Sequence, residues 1–267
     1  MDAVTPKEQL DHRKTGAGPL ARALKALLKL ADPQTLFDVG VPTMQGSIQN
    51  LVRNGFRPGA VLDVGANHGI WTRENAPLFP EARFHMVEAQ RALEQSLIQT
   101  VTDVAPETTY SVCLLGPEER AEAQFHQLGA GSSVLEELTN FEMETVTLPM
   151  RRLDDIVAEQ DLPGPYFLKL DVQGYELEVL RGGIETLRTS EVALLEVSLL
   201  EYNKGAPLVA EIIAFLAAEG FVPYDICSQR RRYADDALYQ SDFIFVREDS
   251  PLRARKQFLR KEPLAKA

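Results

Sequence analysis

Asp63-Val64-Gly65-Ala66-Asn67-His68-Gly69, with Thr72 and Glu88 after it, is the first group of residues able to do chemistry. An apolar strand, Val61-Leu62-Asp63-Val64, runs into a glycine-bearing turn and a helix-compatible stretch, and a second apolar strand, Phe84-His85-Met86-Val87, ends in Glu88. An open α/β sheet holds a ribose-containing cofactor with this arrangement, at the carboxyl ends of its strands. Gly65 lets the backbone turn where a Cβ would obstruct a ligand, and Gly69 allows close packing as the next helix starts. N–H groups at that helix start favour a carboxylate or a phosphate. The glycines are four apart and do not form G-x-G-x-x-G, the pattern that brings backbone close enough for a pyrophosphate. An amino-acid carboxylate needs less, so the turn predicts S-adenosyl-L-methionine and not a dinucleotide. Glu88, 25 residues after Asp63, can accept hydrogen bonds from both ribose hydroxyls. Asp63 sits inside an apolar strand, where a charge is expensive unless paired. It can order the loop N–H groups or meet the cofactor's ammonium through water. Taken singly, a glycine turn is an ordinary strand ending and a strand-end acid an ordinary helix cap.

The second group lies in Phe167-Leu168-Lys169-Leu170-Asp171-Val172-Gln173-Gly174-Tyr175-Glu176. Lys169 and Asp171 are two apart in an apolar strand and so share a face at its end. Two such charges are costly without a task; the plainer reading is a salt-bridged pair holding the strand end.

These clusters require an alternation of strands and helices. Strands are expected at Ala60–Val64, Arg83–Glu88, Thr109–Leu115, Tyr166–Val172, Val192–Val197, Phe221–Ile226 and Leu238–Val246, with short extended pieces at 123–128 and 144–149. Helices are expected at 91–99, 175–188 and 208–218, and an amphipathic basic helix at 19–31, which packs as a cap or lies on a membrane surface. Strands alternating with helices imply a parallel sheet, with any final strand pair antiparallel.

The stretches VLDVGANHGIWT (61–72), FHMVEA (84–89), RRLDDI (151–156), FLKLDVQGYELEVLRGG (167–183), VALLEVS (192–198) and LYQSDFIFVR (238–247) together resemble the FkbM family of S-adenosylmethionine-dependent methyltransferases. The resemblance implies a class I methyltransferase fold. That is a Rossmann-like α/β sheet of seven mostly parallel strands, the last antiparallel, with helices on both faces. The expected organisation is an N-terminal extension with a helical cap (1–47), the methyltransferase domain (48–250) and a basic tail (251–267). It further implies O-methylation of a hydroxyl on a small molecule, a natural product, or a sugar or glycan. By position Asp63, Gly65, Asn67 and Gly69 would line the methionine end of the cofactor and Glu88 would hold the ribose, with Ala66 and Thr72 also cofactor-binding, while Asp171 would lie near the methyl-bearing sulfur or the substrate hydroxyl. The third strand ends Leu114-Leu115-Gly116-Pro117, where related enzymes often place a polar reader of adenine; backbone groups near Val112 and Cys113 are the expected substitutes.

Methyl transfer to oxygen needs in-line placement and removal of a hydroxyl proton. The candidate bases are Asp171, Glu196 at the end of the fifth strand, and His68, which reads equally as a solvent-facing loop residue. Asp171 and Glu196 are too few ligands to predict a metal. Gly129-Ala130-Gly131-Ser132-Ser133 is a lid or a plain hairpin connection, and Arg230-Arg231-Arg232 meet an anionic substrate group or pair with Asp235 and Asp236. Two other functions fit parts of the pattern: a cofactor-binding partner protein without turnover, whose loops would look alike, and a nicotinamide-dependent oxidoreductase, which the missing G-x-G-x-x-G disfavours.

Composition narrows the partners. The 267 residues carry a net charge of −11, and six basic side chains lie in 251–267 against one acidic one. The rest has 22 basic and 38 acidic side chains, a balance of −16, which repels phosphate backbones and argues against nucleic acid. No apolar run is long enough for an integral membrane span. The amino terminus lacks the apolar core of a secretory signal, and Cys113 and Cys227, far apart, read as thiols of a cytoplasmic protein. Nothing in the residues sets an oligomeric state.

Overall fold

The structure, a computed structural model, describes residues 32–38, 40–104, 107–136, 138, 143–232 and 234–256. The expected cap helix at 19–31 and the end of the basic tail lie outside these residues. The strands of the main sheet are β1 (Ala60–Val64), β2 (Arg83–Glu88), β3 (Thr108–Val112), β7 (Tyr166–Leu170), β8 (Ser190–Ser198), β9 (Phe221–Ile226), β10 (Arg230–Arg231) and β11 (Leu238–Arg247). A separate three-stranded sheet holds β4 (Leu114–Leu115), β5 (Arg120–Gln127) and β6 (Glu144–Arg151). The main sheet runs β3-β2-β1-β7-β8-β11, parallel from β3 to β8, with β11 antiparallel to β8. Both β9 and the two-residue β10 line the far edge of β11, which makes eight strands where seven were expected.

The helices are α1 (Pro33–Asp38), α2 (Met44–Arg53), α3 (Ile70–Asn75), α4 (Glu94–Asp103), α5 (Leu153–Gln160), α6 (Glu176–Arg181), α7 (Ile184–Thr189) and α8 (Val209–Ala218). The alternation of strand side chains decides where they pack. Leu62, Leu168, Ala193 and Leu195 point to one face and join residues of α5, α6, α7 and α8. Val61, Phe167, Val192 and Leu194 point to the other and join Ile48 and Leu51 of α2 with Phe56 and Phe79. Phe167 is ringed edge-on by Phe56, Trp71 and Phe79, each with centroids 5.7 Å away. All five residues of β1 and all five of β7 are buried, as a strand covered on both faces requires.

Two expected elements are divided. The run Thr109–Leu115 is not one strand: β3 ends at Val112, and Leu114-Leu115 leave the sheet to pair with Met150 and Arg151 of β6. The helix expected at 175–188 breaks at Gly182-Gly183, because Gly182 passes so close to the backbone that a Cβ would lie 2.0 Å from the Gly116 carbonyl oxygen. The RRLDDI stretch has a scaffolding task. It starts α5, and the Asp154 carboxylate accepts from Thr186 N (2.9 Å) and Thr186 Oγ1 (2.8 Å) at the start of α7.

Candidate active site

The chain reverses its winding between β1 and β7, since β2 and β3 lie to one side of β1 and β8 to the other. Ligands of open α/β sheets bind outside the strand ends at such a switch point. A cavity of about 350 Å³ opens there, walled by the Gly65–His68 loop, Glu88, Lys169 and Asp171. Its apolar side comes from Cys113, Leu114, Leu115, Phe125 and Val134, so the small sheet closes the cavity over the main one. Burial pushes the Cys113 thiol up to about 11, which keeps it a neutral wall group.

Gly65 makes the first wall possible. Its φ is +74°, and a Cβ there would stand 1.9 Å from the Asp171 carbonyl oxygen. The loop N–H groups, expected to face a ligand, are engaged within the protein. Gly65 N and Ala66 N donate to Val87 O (2.9 and 3.1 Å) and Gly69 N to Ala66 O (2.8 Å). Asn67 N donates to Glu88 Oε2 (2.7 Å) and His68 N to the Asn67 side chain (2.8 Å). Buried backbone groups must be paired, and a tight turn can pair its own. Glu88 Oε1 accepts from Gln90 N (2.9 Å) and Gln90 Nε2 (3.2 Å). Gln90 Nε2 also reaches Gly129 O at 3.2 Å, tying the Gly129–Ser133 segment to the end of β2. A carboxylate offers about four acceptor positions, and the protein fills three of those of Glu88, one of them with the Gln90 side chain.

Beneath the loop lies a buried charge pair. Lys169 Nζ is 2.9 Å from Asp63 Oδ1, 3.0 Å from Gly65 O and 4.0 Å from Asp171 Oδ2. Thr72 Oγ1 donates to Asp63 Oδ2 (2.7 Å). Burial works against the Lys169 charge, and the Asp63 and Asp171 carboxylates overcome it, holding the ammonium above the ordinary lysine value. Lys169 is therefore paired chiefly with Asp63 across the β1–β7 register and only loosely with Asp171, its neighbour in sequence.

A second network stands at the ends of β7, β8 and β11. Gln173 Nε2 donates to Asp171 Oδ1 (2.7 Å) and to Glu196 Oε2 (2.8 Å). Gln240 Nε2 donates to Glu196 Oε2 (3.1 Å), and Arg230 Nη1 lies 3.0 Å from Glu196 Oε1. Burial pushes the Glu196 carboxyl well above the ordinary range; Asp171 adds to the push and Arg230 opposes it. Asp242, opposite Glu196 on β11, is raised by burial while its bond from Ser228 opposes.

The sequence-derived candidates thus fall into three places. Gly65, Ala66, Asn67, His68, Glu88 and Asp171 are on the cavity wall. Asp63, Gly69, Thr72 and Val112 stand one layer behind it: Asp63 and Thr72 support Lys169, Gly69 packs on Thr100, and Val112 is the register partner of Glu88. Glu196 is buried beside Asp171, while His68 is exposed with Nδ1 3.0 Å from Ser96 Oγ and touches neither. Of the three arginines, Arg230 pairs with Glu196, and Arg232 pairs with Asp235. Among the described residues, no group of three or more His, Cys, Asp or Glu could hold a metal ion. Gln90, Gln173 and Gln240 were not among the candidates, and Arg230 was paired in expectation with Asp235 or Asp236 and not with Glu196. Gln173 sat inside the most specific motif, but its amide has a task only once β8 is known to lie beside β7.

Glu176 was not a candidate either. Its Oε1 accepts from Val172 N (3.0 Å) and Gly174 N (3.2 Å) and so shapes the loop after Asp171. Burial pushes its pKa from 4.5 to about 7. A carboxyl raised on folding adds stability below its unfolded value and loses it as pH rises through the folded value, here from about 4.5 to about 7. Buried His85, lowered to about 4 by desolvation, acts in the opposite sense, losing stability as pH falls from 6.5 to 4. Comparing wild type with Glu176→Gln cancels the histidine. The melting temperature of the variant relative to wild type is expected to rise from pH 5 to pH 8, by several degrees. A flat difference by calorimetry removes Glu176 from the pH response.

Five parallel strands ordered about a switch point, an antiparallel strand beyond them and an acid closing β2 define a class I methyltransferase-type domain. The methyltransferase FkbM domain model matches residues 63–223, more than half of the chain, and the chain belongs to that family of methyltransferases. No curated protein matches it by sequence. Among solved structures, the O-methyltransferase TomG of Streptomyces achromogenes, in complex with SAM, is similar with a TM-score of 0.44 and 14% identity, over 83% of this chain and 89% of that one. Magnesium protoporphyrin IX methyltransferase of Synechocystis, with bound SAM, gives 0.42 and 15% over 91% of both chains. Aeropyrum pernix fibrillarin, with S-adenosyl-L-methionine, gives 0.42 and 12% over 71% of this chain and 67% of that one.

Proposed function

We propose that this chain binds S-adenosylmethionine in the cavity between the Gly65 loop and Glu88 and methylates a hydroxyl oxygen of a small molecule or glycan. The observation that carries the reading is the buried Glu88 carboxylate, 5% exposed yet on the wall of the cavity at the switch point between β1 and β7. The cavity volume is within the range of small-ligand sites. The apolar wall from Cys113 to Leu115 with Phe125 suits a purine ring, and Glu88 suits a ribose diol.

The cofactor supplies a methyl group already activated by its sulfonium. The chain's own residues then position and deprotonate. Lys169 braces the loop through Gly65 O, and Asp63 and Thr72 fix Lys169. Asp171 is the favoured base. Asp171 is on the cavity wall; its Oδ1 is committed to Gln173, and the nearest cation to Oδ2, Lys169 Nζ, is 4.0 Å away, beyond hydrogen-bond distance. That oxygen can take the proton of an incoming hydroxyl. Glu196, engaged by two amides and a guanidinium, supports Asp171 from behind, and His68 stands toward Ser96 on α4. A binding protein without turnover would have no use for an acceptor oxygen held open in this way. No helix among the described residues is long and apolar enough to cross a membrane. Two distant free thiols suit a reducing cytoplasm, and the net charge of −11 argues against nucleic acid as partner.

The test is ligand binding followed by transfer. S-adenosylhomocysteine is expected to raise the melting temperature and NAD to leave it unchanged. Glu88→Ala should weaken S-adenosylhomocysteine by roughly 10- to 100-fold in calorimetry, the loss of charge-assisted bonds worth about 1.5–3 kcal/mol. Stabilisation by NAD alone, or an unchanged Kd in the variant, overturns the reading. Transfer of a labelled methyl group across a panel of hydroxylated metabolites and sugars, undiminished by chelators, then identifies the acceptor.

A further inference from the structure

We propose that Gln173 is a positioning residue for methyl transfer, its one side-chain amide holding the Asp171 and Glu196 carboxylates together and aiming the open Asp171 oxygen at the acceptor. The inference rests on the assignment of Asp171 as base.

Nε2 lies 2.7 Å from Asp171 Oδ1 and 2.8 Å from Glu196 Oε2. Carboxylates only accept hydrogen bonds, so two of them settle which end of the amide faces inward. Both amide hydrogens are used, one on each acid. Without them, two carboxylates at the ends of neighbouring strands would be left unbridged, Glu196 4% exposed and the Asp171 side chain 31%. Like charges so placed cannot both ionise without cost. The remaining groups around the pair do not replace the amide. Arg230 and Gln240 serve Glu196, Lys169 serves Asp63, Asp242 holds Ser228, and the Glu176 carboxylate is turned to Val172 and Gly174.

The backbone supports the assignment. Gln173 has a φ of +54°, a left-handed conformation that strains a long side chain. Such strain persists only where surroundings enforce it. Here Ser133 Oγ (2.9 Å) and Asn203 Nδ2 (2.5 Å) both donate to the Gln173 carbonyl. Glycine would occupy the position without strain, but glycine carries no amide.

Two variants test the role. Gln173→Glu keeps length and shape but sets a third carboxyl between two others. In the free protein, its melting temperature relative to wild type should fall by several degrees from pH 5 to pH 8, as that carboxyl loses its proton. In the enzyme, kcat relative to wild type should fall at least tenfold between pH 6 and pH 8. Gln173→Leu should lower kcat about 100-fold, the cost of a misplaced base, with the Kd of S-adenosylhomocysteine within threefold. A packing role alone would be met by the apolar leucine, leaving kcat in Gln173→Leu unchanged. A pH-independent melting difference for Gln173→Glu overturns the clamp; an unchanged kcat in Gln173→Leu overturns the positioning role. Should Gln173→Leu not fold, the kcat profile of Gln173→Glu decides. The melting data need no methyl transfer. A clamp that titrates as expected beside an Asp171→Asn enzyme of normal turnover refutes the base assignment, and with it the positioning role, while the clamp stands.

Discussion

Asp171→Asn is expected to abolish turnover, by 10²-fold or more, while the Kd of S-adenosylhomocysteine stays within tenfold of wild type. The asparagine oxygen can still accept from Gln173 Nε2, as Asp171 Oδ1 does at 2.7 Å, so the loop keeps its shape. Lys169 keeps its 2.9 Å contact with Asp63 and loses only the one at 4.0 Å. The single change is at the position of Oδ2, where an amide nitrogen that donates replaces an oxygen that accepts. A hydroxyl placed there has no group to take its proton. Kinetics at saturating cofactor and calorimetry on the same preparation separate the effects. Normal turnover would remove Asp171 from the mechanism and move attention to Glu196 or His68. Weakened cofactor binding with kcat preserved would make Asp171 a ligand residue and not a base.

The parts of this site that were legible are those whose cause is local. β1 and β2 have the bounds the apolar runs implied, because a strand buried on both faces must be apolar throughout and a glycine or an acid ends it. Gly65 and Glu88 follow from the same stretches. What was hidden depends on partners distant in sequence. Leu114-Leu115 continue the apolar run of β3, and only the pairing with Met150 and Arg151 takes them into another sheet. The same switch brings Leu114 and Leu115 to the apolar cavity wall, which could not be seen without it. Lys169 and Asp171 look like a pair because they are two apart in one strand. The parallel register places Asp63 beside Lys169 instead, and that contact is the closer by more than an ångström. Gln173 and Gln240 are neutral residues in conspicuous stretches, and their purpose is visible only from Glu196, which both reach. Sequence spacing thus found the charged groups, while the amides that keep those charges apart came from topology.

The register contact carries the other large expectation. Lys169→Met should destabilise the protein by roughly 3–5 kcal/mol, the cost of breaking a buried ion pair by removing one partner. Methionine fills most of the lysine stem, so the loss is electrostatic more than a cavity. Asp63 would be left fully buried with Thr72 Oγ1 as its remaining side-chain donor, on a strand with apolar neighbours throughout. Gly65 O would lose its donor as well, and with it the brace under the cofactor loop. The double variant Asp63→Asn with Lys169→Met separates the two losses. It removes the stranded charge, so it should regain more than half of the lost stability in denaturant unfolding, and still bind S-adenosylhomocysteine poorly because the loop remains unbraced. Recovery of stability and binding together would mean that the pair serves the fold alone. No recovery of either would mean that the lysine acts through packing against Trp71, whose ring centroid is 5.9 Å from Nζ. The expected split, stability regained and affinity not, is what a charge pair that supports a binding loop must give, since the neutral residues can satisfy the strand but cannot reach the Gly65 carbonyl.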